Sequence, residues 1–145
     1  MNTSNTLFKH RTPIQIRFKD LDKVGHVNNA NHLTYFELAR MHYSDDVLGR
    51  IDWSKNGFVV ASARIEYRKP ILLEDKVFVL TRTVKMGTKS FEMEYIIIKV
   101  EDDGSETSLA TGASTMVCMN YQTHQTIPIP EAWKKQVMDF EELAE

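Results

Sequence analysis

Between residues 19 and 40 the sequence reads KDLDKVGHVNNANHLTYFELAR, a polar cluster followed at once by a long run without Gly or Pro. A turn that leads into a helix needs only one capping side chain and one turn residue. The polar cluster has more hydrogen-bonding groups than that local structure requires. Its members are Asp20, Asp22, His26, Asn28 and Asn29.

The run that follows the polar cluster predicts a helix from about residue 29 to residue 43. Apolar residues occupy most sides of this helix, and a helix of that kind is buried inside a domain rather than laid on its surface. We therefore expect the remainder of the chain to cover it. The apolar residues are Leu33, Tyr35, Phe36, Leu38, Ala39, Met41 and Tyr43.

The rest of the chain changes to the two-residue period of β-strands. Strands are predicted over 13–18, 58–68, 77–84, 91–100 and 109–119, and a short amphipathic helix is predicted over 130–144. The order of one strand, one helix and four further strands indicates an α+β domain. We expect a curved antiparallel sheet of about five strands, arranged as a meander and wrapped round one long central helix.

Length and composition limit the class of protein. The 145 residues predict a single domain over 13–145, preceded by a flexible polar segment over 1–12. The net charge of −2 argues against a nucleic-acid partner, and no segment is long and apolar enough to enter a membrane. The N-terminus has no secretory leader and Cys118 is the only cysteine, so a cytoplasmic location is expected.

Two metal sites can be tested against the polar cluster, and neither fits. A calcium loop that begins at Asp20 would place Val24 and Asn31 where oxygen ligands are needed, including the bidentate glutamate. Zinc would need His26 and His32 on one helix face, but they are six residues apart and the single cysteine cannot join them. No metal is predicted.

A carboxylate beside a helix N-terminus is the arrangement that remains. Backbone N–H groups in the first helical turn can polarise a carbonyl oxygen, and a nearby carboxylate can attack that carbonyl or deprotonate a water. These groups suit acyl transfer to water. The structural alternatives are a simple cap at Asn28 or Asn29, turn formation by Asp20 and Asp22, and a hydrogen-bonded loop position for His26.

Four segments together resemble the hotdog-fold acyl-CoA thioesterases of the 4-hydroxybenzoyl-CoA thioesterase and YbgC-like family. The most specific is RFKDLDKVGHVNNANHLTYFELAR, which is similar to the N-terminal signature of that family. The segments FVVASARIEYRKPILLEDKVFV, VKMGTKSFEMEYIIIKV and LATGASTMVCMN extend the likeness across most of residues 13–121. The resemblance implies a hotdog fold, assembled as homodimers or homotetramers with active sites between subunits.

The resemblance also implies roles for individual residues. Asp22 takes the position of the catalytic carboxylate, and the Asn29 N–H takes that of the donor to the thioester carbonyl. His26 falls where plant acyl-ACP thioesterases, which share the HVNN stretch, carry a catalytic histidine. Lys89 and Ser90 match a loop that contacts CoA phosphates in some members.

The function implied is hydrolysis of an acyl-CoA thioester to a free acid and CoA. Asp22 acts either as a nucleophile or as the base that activates water. CoA arrives as part of the substrate, and no separate cofactor is implied. Hydrolysis of acyl-ACP and non-catalytic binding of acyl-CoA on the same scaffold are the alternatives.

Overall fold

The computed structural model describes residues 5–144, and in this part of the chain it contains six strands and two helices. The elements in chain order are β1 (His10–Ile14), α1 (Asn29–Leu48), β2 (Asn56–Tyr67), β3 (Val77–Met86), β4 (Ser90–Val100), β5 (Glu106–Asn120), β6 (Gln125–Thr126) and α2 (Glu131–Glu141).

The strands form one antiparallel sheet in the order β1-β3-β4-β5-β2, and the short β6 pairs with the end of β5. The predicted α+β class and the sheet of about five main strands are therefore confirmed. The predicted meander holds for β3, β4 and β5. It is wrong for β2, which pairs with β5, so the chain crosses over from one side of the sheet to the other before β3 begins.

The predicted bounds of the first strand are wrong. It covers His10–Ile14 rather than 13–18, so residues 10–12 are paired with β3. Pro13 is tolerated because β1 is an edge strand, where a missing N–H need not break a ladder bond. Phe18 lies in a 3₁₀ turn with 81% of its surface exposed, although the alternating pattern placed it on a buried strand face. Residues 1–4 lie outside the described part of the chain.

The long helix packs one face on the concave side of the sheet. The ring of Phe36 stacks on Tyr95 of β4 with centroids 4.5 Å apart. It also approaches Gly112 of β5 so closely that a Cβ there would lie 2.4 Å from the ring. Two other apolar side chains of this helix, Leu33 and Leu38, are 47% and 41% exposed. The sheet thus covers only part of the apolar surface that the sequence pattern predicted to be buried.

Strand β2 forms one edge of the sheet. Its partner within the chain is β5, and the described residues provide no strand on its other side. The side chains from Val60 to Arg64 are all exposed, with Val60 at 45%. A long exposed edge of this kind is a template for pairing with another strand.

Neither described helix has the length and hydrophobicity needed to cross a bilayer.

Candidate active site

The polar cluster forms a loop that is hydrogen-bonded to the segment just before β3. The backbone N–H of Asp22 donates to the carbonyl of His26 at 2.7 Å, and the N–H of Val27 donates to the carbonyl of Ile71 at 2.8 Å. His26 also forms an isolated β-bridge with Leu72. These bonds fix the loop against the rest of the domain at the N-terminal end of α1.

The carboxylate of Asp22 is held by the loop itself. Its Oδ1 atom accepts hydrogen bonds from the backbone N–H of Val24 at 3.0 Å and of His26 at 3.2 Å. Gly25 supplies the positive φ of 82° that the turn between those two donors requires. One carboxylate oxygen is therefore fixed, and the side chain is exposed at the surface of the loop.

The first turn of α1 resolves which asparagine is the cap. The Asn28 side-chain oxygen accepts from the N–H of Ala30 at 3.0 Å, and the Asn28 carbonyl accepts from the N–H of Asn31 at 2.9 Å. Asn29 is the first residue of the helix. Its own N–H uses neither of the acceptors that Asn28 provides, and it stands at the positive end of the helix dipole.

Asp22, His26 and Asn29 line a common cleft of about 260 Å³. The structure thus brings together the three residues that the family resemblance assigned to the catalytic site. The remaining walls come from the start of the helix and from the segment that ends β2. They are Val27, His32, Tyr67, Arg68, Lys69 and Pro70.

His32 and Tyr67 were not predicted as parts of this site. The Tyr67 hydroxyl donates to the carbonyl of Asn29 at 3.0 Å, and the rings of Tyr67 and His32 meet edge to face with centroids 4.8 Å apart. Burial lowers the pKa of His32 below its ordinary value, which favours a neutral imidazole in the cleft. The only local signal was the i,i+3 spacing of His32 from Asn29, since Tyr67 reaches the cleft through the tertiary fold.

Asp20 is a buried anchor and not the surface turn residue of the structural alternative. Its carboxylate accepts from the Arg17 guanidinium at 3.0 Å and from the Tyr35 hydroxyl at 2.9 Å, and the residue is 1% exposed. Burial opposes ionisation, but the hydrogen bonds from Arg17 and Tyr35 outweigh it, so the pKa of the Asp20 carboxyl lies below its ordinary value. Asp20 therefore ties the loop to α1.

Asp20→Asn is expected to destabilise the fold by about 2 kcal/mol, because an amide cannot accept both charge-assisted bonds. A group with a lowered folded-state pKa contributes stability above its unfolded pKa and loses it as pH falls through the folded value. The difference between wild type and variant should thus be constant from pH 7 to about pH 4 and shrink below that. Urea unfolding at several pH values measures it, and equal midpoints at pH 7 would contradict the anchoring role.

Lys89 and Ser90 lie at the opposite end of the sheet from the cleft. Ser90 pairs with Val117 of β5, whereas Tyr67 of the cleft pairs with Ala110 of the same strand. At about 3.4 Å per residue, this separates the two ends by about 24 Å. One chain alone does not bring the predicted phosphate-binding residues to the predicted catalytic residues.

Other nucleophiles and metal sites find no support in the described residues. Burial raises the pKa of the Cys118 thiol to about 11, so it is protonated and unreactive at neutral pH. Within residues 5–144, no group of three or more His, Cys, Asp or Glu side chains is arranged to hold a metal ion.

Comparison with known proteins gives consistent matches over almost the whole chain. The model of the thioesterase-like superfamily matches residues 16–137. A thioesterase from Thermus thermophilus, solved with coenzyme A and Zn, is 37% identical with a TM-score of 0.80, covering 95% of this chain and 98% of that one. The acyl-CoA thioester hydrolase YbgC of Escherichia coli O6:H1 is 29% identical over 83% of this chain and 86% of its own. The long-chain acyl-CoA thioesterase FadM of Escherichia coli K12 is 28% identical over 82% of this chain and 89% of its own.

Proposed function

The chain belongs to the thioesterase-like superfamily, and we propose that it hydrolyses acyl-CoA thioesters to a carboxylic acid and free CoA at the cleft that contains Asp22. The predicted hotdog fold and the resemblance to the YbgC-like thioesterases are confirmed by these matches, as is the class of thioester hydrolase. The observation that supports the site best is a carboxylate fixed by two backbone N–H groups next to the first N–H of a long helix.

The chemistry follows from those two groups. The Asn29 N–H donates to the thioester carbonyl oxygen and stabilises the negative charge that develops on it. Asp22 either takes a proton from the attacking water or attacks the carbonyl to form an anhydride that water then opens. In both routes the C–S bond breaks, the acyl carbon gains the oxygen of water, and CoA leaves as a thiol. His26 lies in the same cleft and is assigned the placement of water or substrate.

We further propose that two copies of the chain pair through β2, as a homodimer or as a homotetramer of two such dimers. The exposed edge of β2 is 12 residues long and carries small or apolar side chains over much of its length, such as Val60, Ala61 and Ala63. A strand that pairs with its own copy about a twofold axis does so antiparallel, and the pairing removes the exposed edge.

This pairing accounts for the separation of the predicted residues. An antiparallel match of β2 with its copy sets the Tyr67 end of one strand against the Asn56 end of the other. Lys89 and Ser90 lie at the Asn56 end of their own sheet, two strands from β2. In the dimer they approach the Asp22 cleft of the other subunit, where the phosphates of a bound CoA thioester would need a cation.

Lys89→Ala is expected to raise KM for acyl-CoA by about three- to tenfold and to leave kcat nearly unchanged, because a phosphate contact made equally in the ground and transition states affects binding alone. Steady-state kinetics with one acyl-CoA measure both constants. An unaltered KM would identify Lys89 as a solvated residue at the β3–β4 turn.

Thiol release by the purified wild type, with the same acyl group on CoA and on acyl carrier protein, tests the proposed function. Turnover of acyl-CoA with the higher kcat/KM supports it. A preference for the acyl carrier protein would favour the acyl-ACP alternative, and binding without thiol release would favour the non-catalytic one.

We assign the reaction to the cytoplasm, in keeping with a single buried and reduced cysteine.

A further inference from the structure

Arg40 brings a positive charge into the core of the domain. It is 6% exposed, and its guanidinium lies over the ring of Tyr95 on β4. Its Nη1 donates to the Tyr95 hydroxyl at 3.3 Å, and its Nε has no partner among the residues that the structure describes. Within residues 5–144, no carboxylate lies within the 4 Å of an ion pair with Arg40. Because a guanidinium does not lose its proton in proteins, Arg40 is a buried charge without a counter-ion.

The groups around Arg40 do not replace the missing carboxylate. The Tyr95 hydroxyl is neutral and already shares a hydrogen bond of 2.6 Å with the Ser114 hydroxyl. The Glu141 carboxylate of α2 accepts from the Tyr43 hydroxyl and from a backbone N–H of β3, each at 2.7 Å. It forms no ion pair with Arg40. The described part of the chain therefore leaves the charge uncompensated.

Two hydroxyl groups near Arg40 in the fold also lack a partner. Ser44 lies one helical turn after Arg40 and is 1% exposed, and Thr81 lies opposite Tyr95 in the β3–β4 ladder and is 0% exposed. Neither side-chain oxygen is hydrogen-bonded to any described residue. Buried polar groups are seldom left unpaired, and such groups indicate a bound water or ion. Each of these groups can donate a hydrogen bond, so this region of the core is short of acceptors.

A cavity of about 20 Å³ lies beside Arg40, between the second half of α1, the adjoining ends of β2, β3 and β4, and α2. That volume holds one particle of about the size of a water molecule. Arg40 is the only charged residue that the described chain contributes to its wall. The hydroxyls of Tyr43 and Thr83 in the wall are bonded to each other at 3.0 Å, and the other side chains, such as Phe58 and Trp133, are apolar. A neutral cavity of this kind stays empty, whereas a cation in its wall attracts an anion.

The size of the cavity and the charge of its wall define the ligand. Phosphate, sulfate and the phosphates of CoA need more space than one water-sized particle occupies, and Arg40 repels cations. A halide ion is only slightly larger than water and needs only donors, which the guanidinium supplies.

We propose that this cavity binds one small monovalent anion, such as chloride, against the guanidinium of Arg40. The anion neutralises the buried charge and stabilises the packing of α1 against β4 and α2. At about 1.5 Å per residue, Arg40 lies about 16 Å along α1 from Asn29 of the catalytic cleft. The anion site is therefore distinct from that cleft, and the inference does not depend on the proposed function.

Chloride is expected to raise the melting temperature of the wild type by about 3 °C or more when its concentration rises from zero to about 0.5 M. An anion that binds only the folded state stabilises that state by mass action. Sodium gluconate keeps the ionic strength constant, because its anion is too large for the cavity. A melting temperature that does not change as chloride replaces gluconate would overturn the proposal.

Arg40→Met should abolish this effect of chloride, because it removes the charge from the cavity wall. In gluconate the variant should be at least as stable as the wild type, since methionine buries no uncompensated charge. Arg82→Met is the matched control. Arg82 has its own carboxylate partner, with its Nε 3.0 Å from Glu94, and does not line the cavity. This control should keep the wild-type response, and an equal response in Arg40→Met and wild type would show that chloride acts elsewhere and contradict the site.

Diffraction from wild-type crystals grown in sodium bromide locates the anion without any substitution. We expect an anomalous peak inside the cavity, within hydrogen-bonding reach of the Arg40 guanidinium. A cavity that is empty or contains only water, with bromide confined to the protein surface, would refute the proposal.

Discussion

Replacing Asp22 with asparagine is expected to lower kcat for acyl-CoA hydrolysis by at least about 100-fold. The amide keeps the size of the side chain and can still accept the bonds from Val24 and His26 that hold the loop. It lacks the negative charge that is needed to deprotonate water or to attack the carbonyl. Substrate affinity should be largely retained, because the acyl group and the CoA moiety provide most of the contacts.

Asp103→Asn is the matched control for this prediction. Asp103 is an exposed aspartate whose Oδ1 accepts the N–H of Ser105 at 2.8 Å, the same local turn geometry that Asp22 shows with Val24. It lies in the β4–β5 turn and does not line the cleft. Thermal melts of both variants exclude unfolding as a cause. Similar small losses of kcat in the two variants would mean that Asp22 is a turn residue and that the catalytic assignment is wrong.

A double change of Ala61 and Ala63 to aspartate is expected to convert the protein to a monomer and to lower kcat/KM for acyl-CoA at least about 100-fold. Both residues lie near the middle of β2, so a twofold pairing sets the new charges of the two chains against each other, and like charges across a strand pair are destabilising. The monomer loses activity because the Asp22 cleft no longer has the other subunit beside it.

The same two positions changed to serine provide the control, since serine is small and polar but uncharged. Light scattering and thiol release, measured on the same samples, give the oligomeric state and the activity. An active monomer, whether of the wild type or of the aspartate variant, would contradict a site shared between two copies. An inactive variant that remains dimeric would point to another role for β2.

The regular part of the fold was largely accessible from local sequence patterns, because strand and helix periods depend on neighbouring residues. The order of the strands in the sheet was not accessible from these local patterns. Residues 58–68 read as an ordinary strand, and nothing in their alternation indicates that β2 pairs with β5 across the sheet rather than with β3. The first strand was misplaced because Ile16 and Phe18 continue the alternation into a segment that turns away to begin the polar loop.

The same contrast between local patterns and long-range contacts applies to the candidate site. Asp22, His26 and Asn29 are close in sequence, so a short loop and one helix start are enough to place them together. Tyr67 was missed because the end of β2 meets the start of α1 only in the folded domain, and His32 was missed because it forms part of the cleft together with the Tyr67 ring. The residue pattern by itself did not separate Asp20 from Asp22, and only the family resemblance assigned the catalytic role to Asp22. Asp20 is buried against Arg17 and Tyr35, whereas Asp22 is exposed. This difference arises only from the tertiary structure.

The most direct test is a single-turnover measurement with protein in excess over one acyl-CoA, stopped at set times and analysed for acyl-CoA, free CoA and free acid. For the wild type we expect complete conversion to equal amounts of acid and CoA. For Asp22→Asn we expect the acyl-CoA to stay bound and intact over the same interval. Equal yields of free CoA from the two proteins, or no conversion by the wild type with any acyl-CoA, would contradict hydrolysis of acyl-CoA at Asp22.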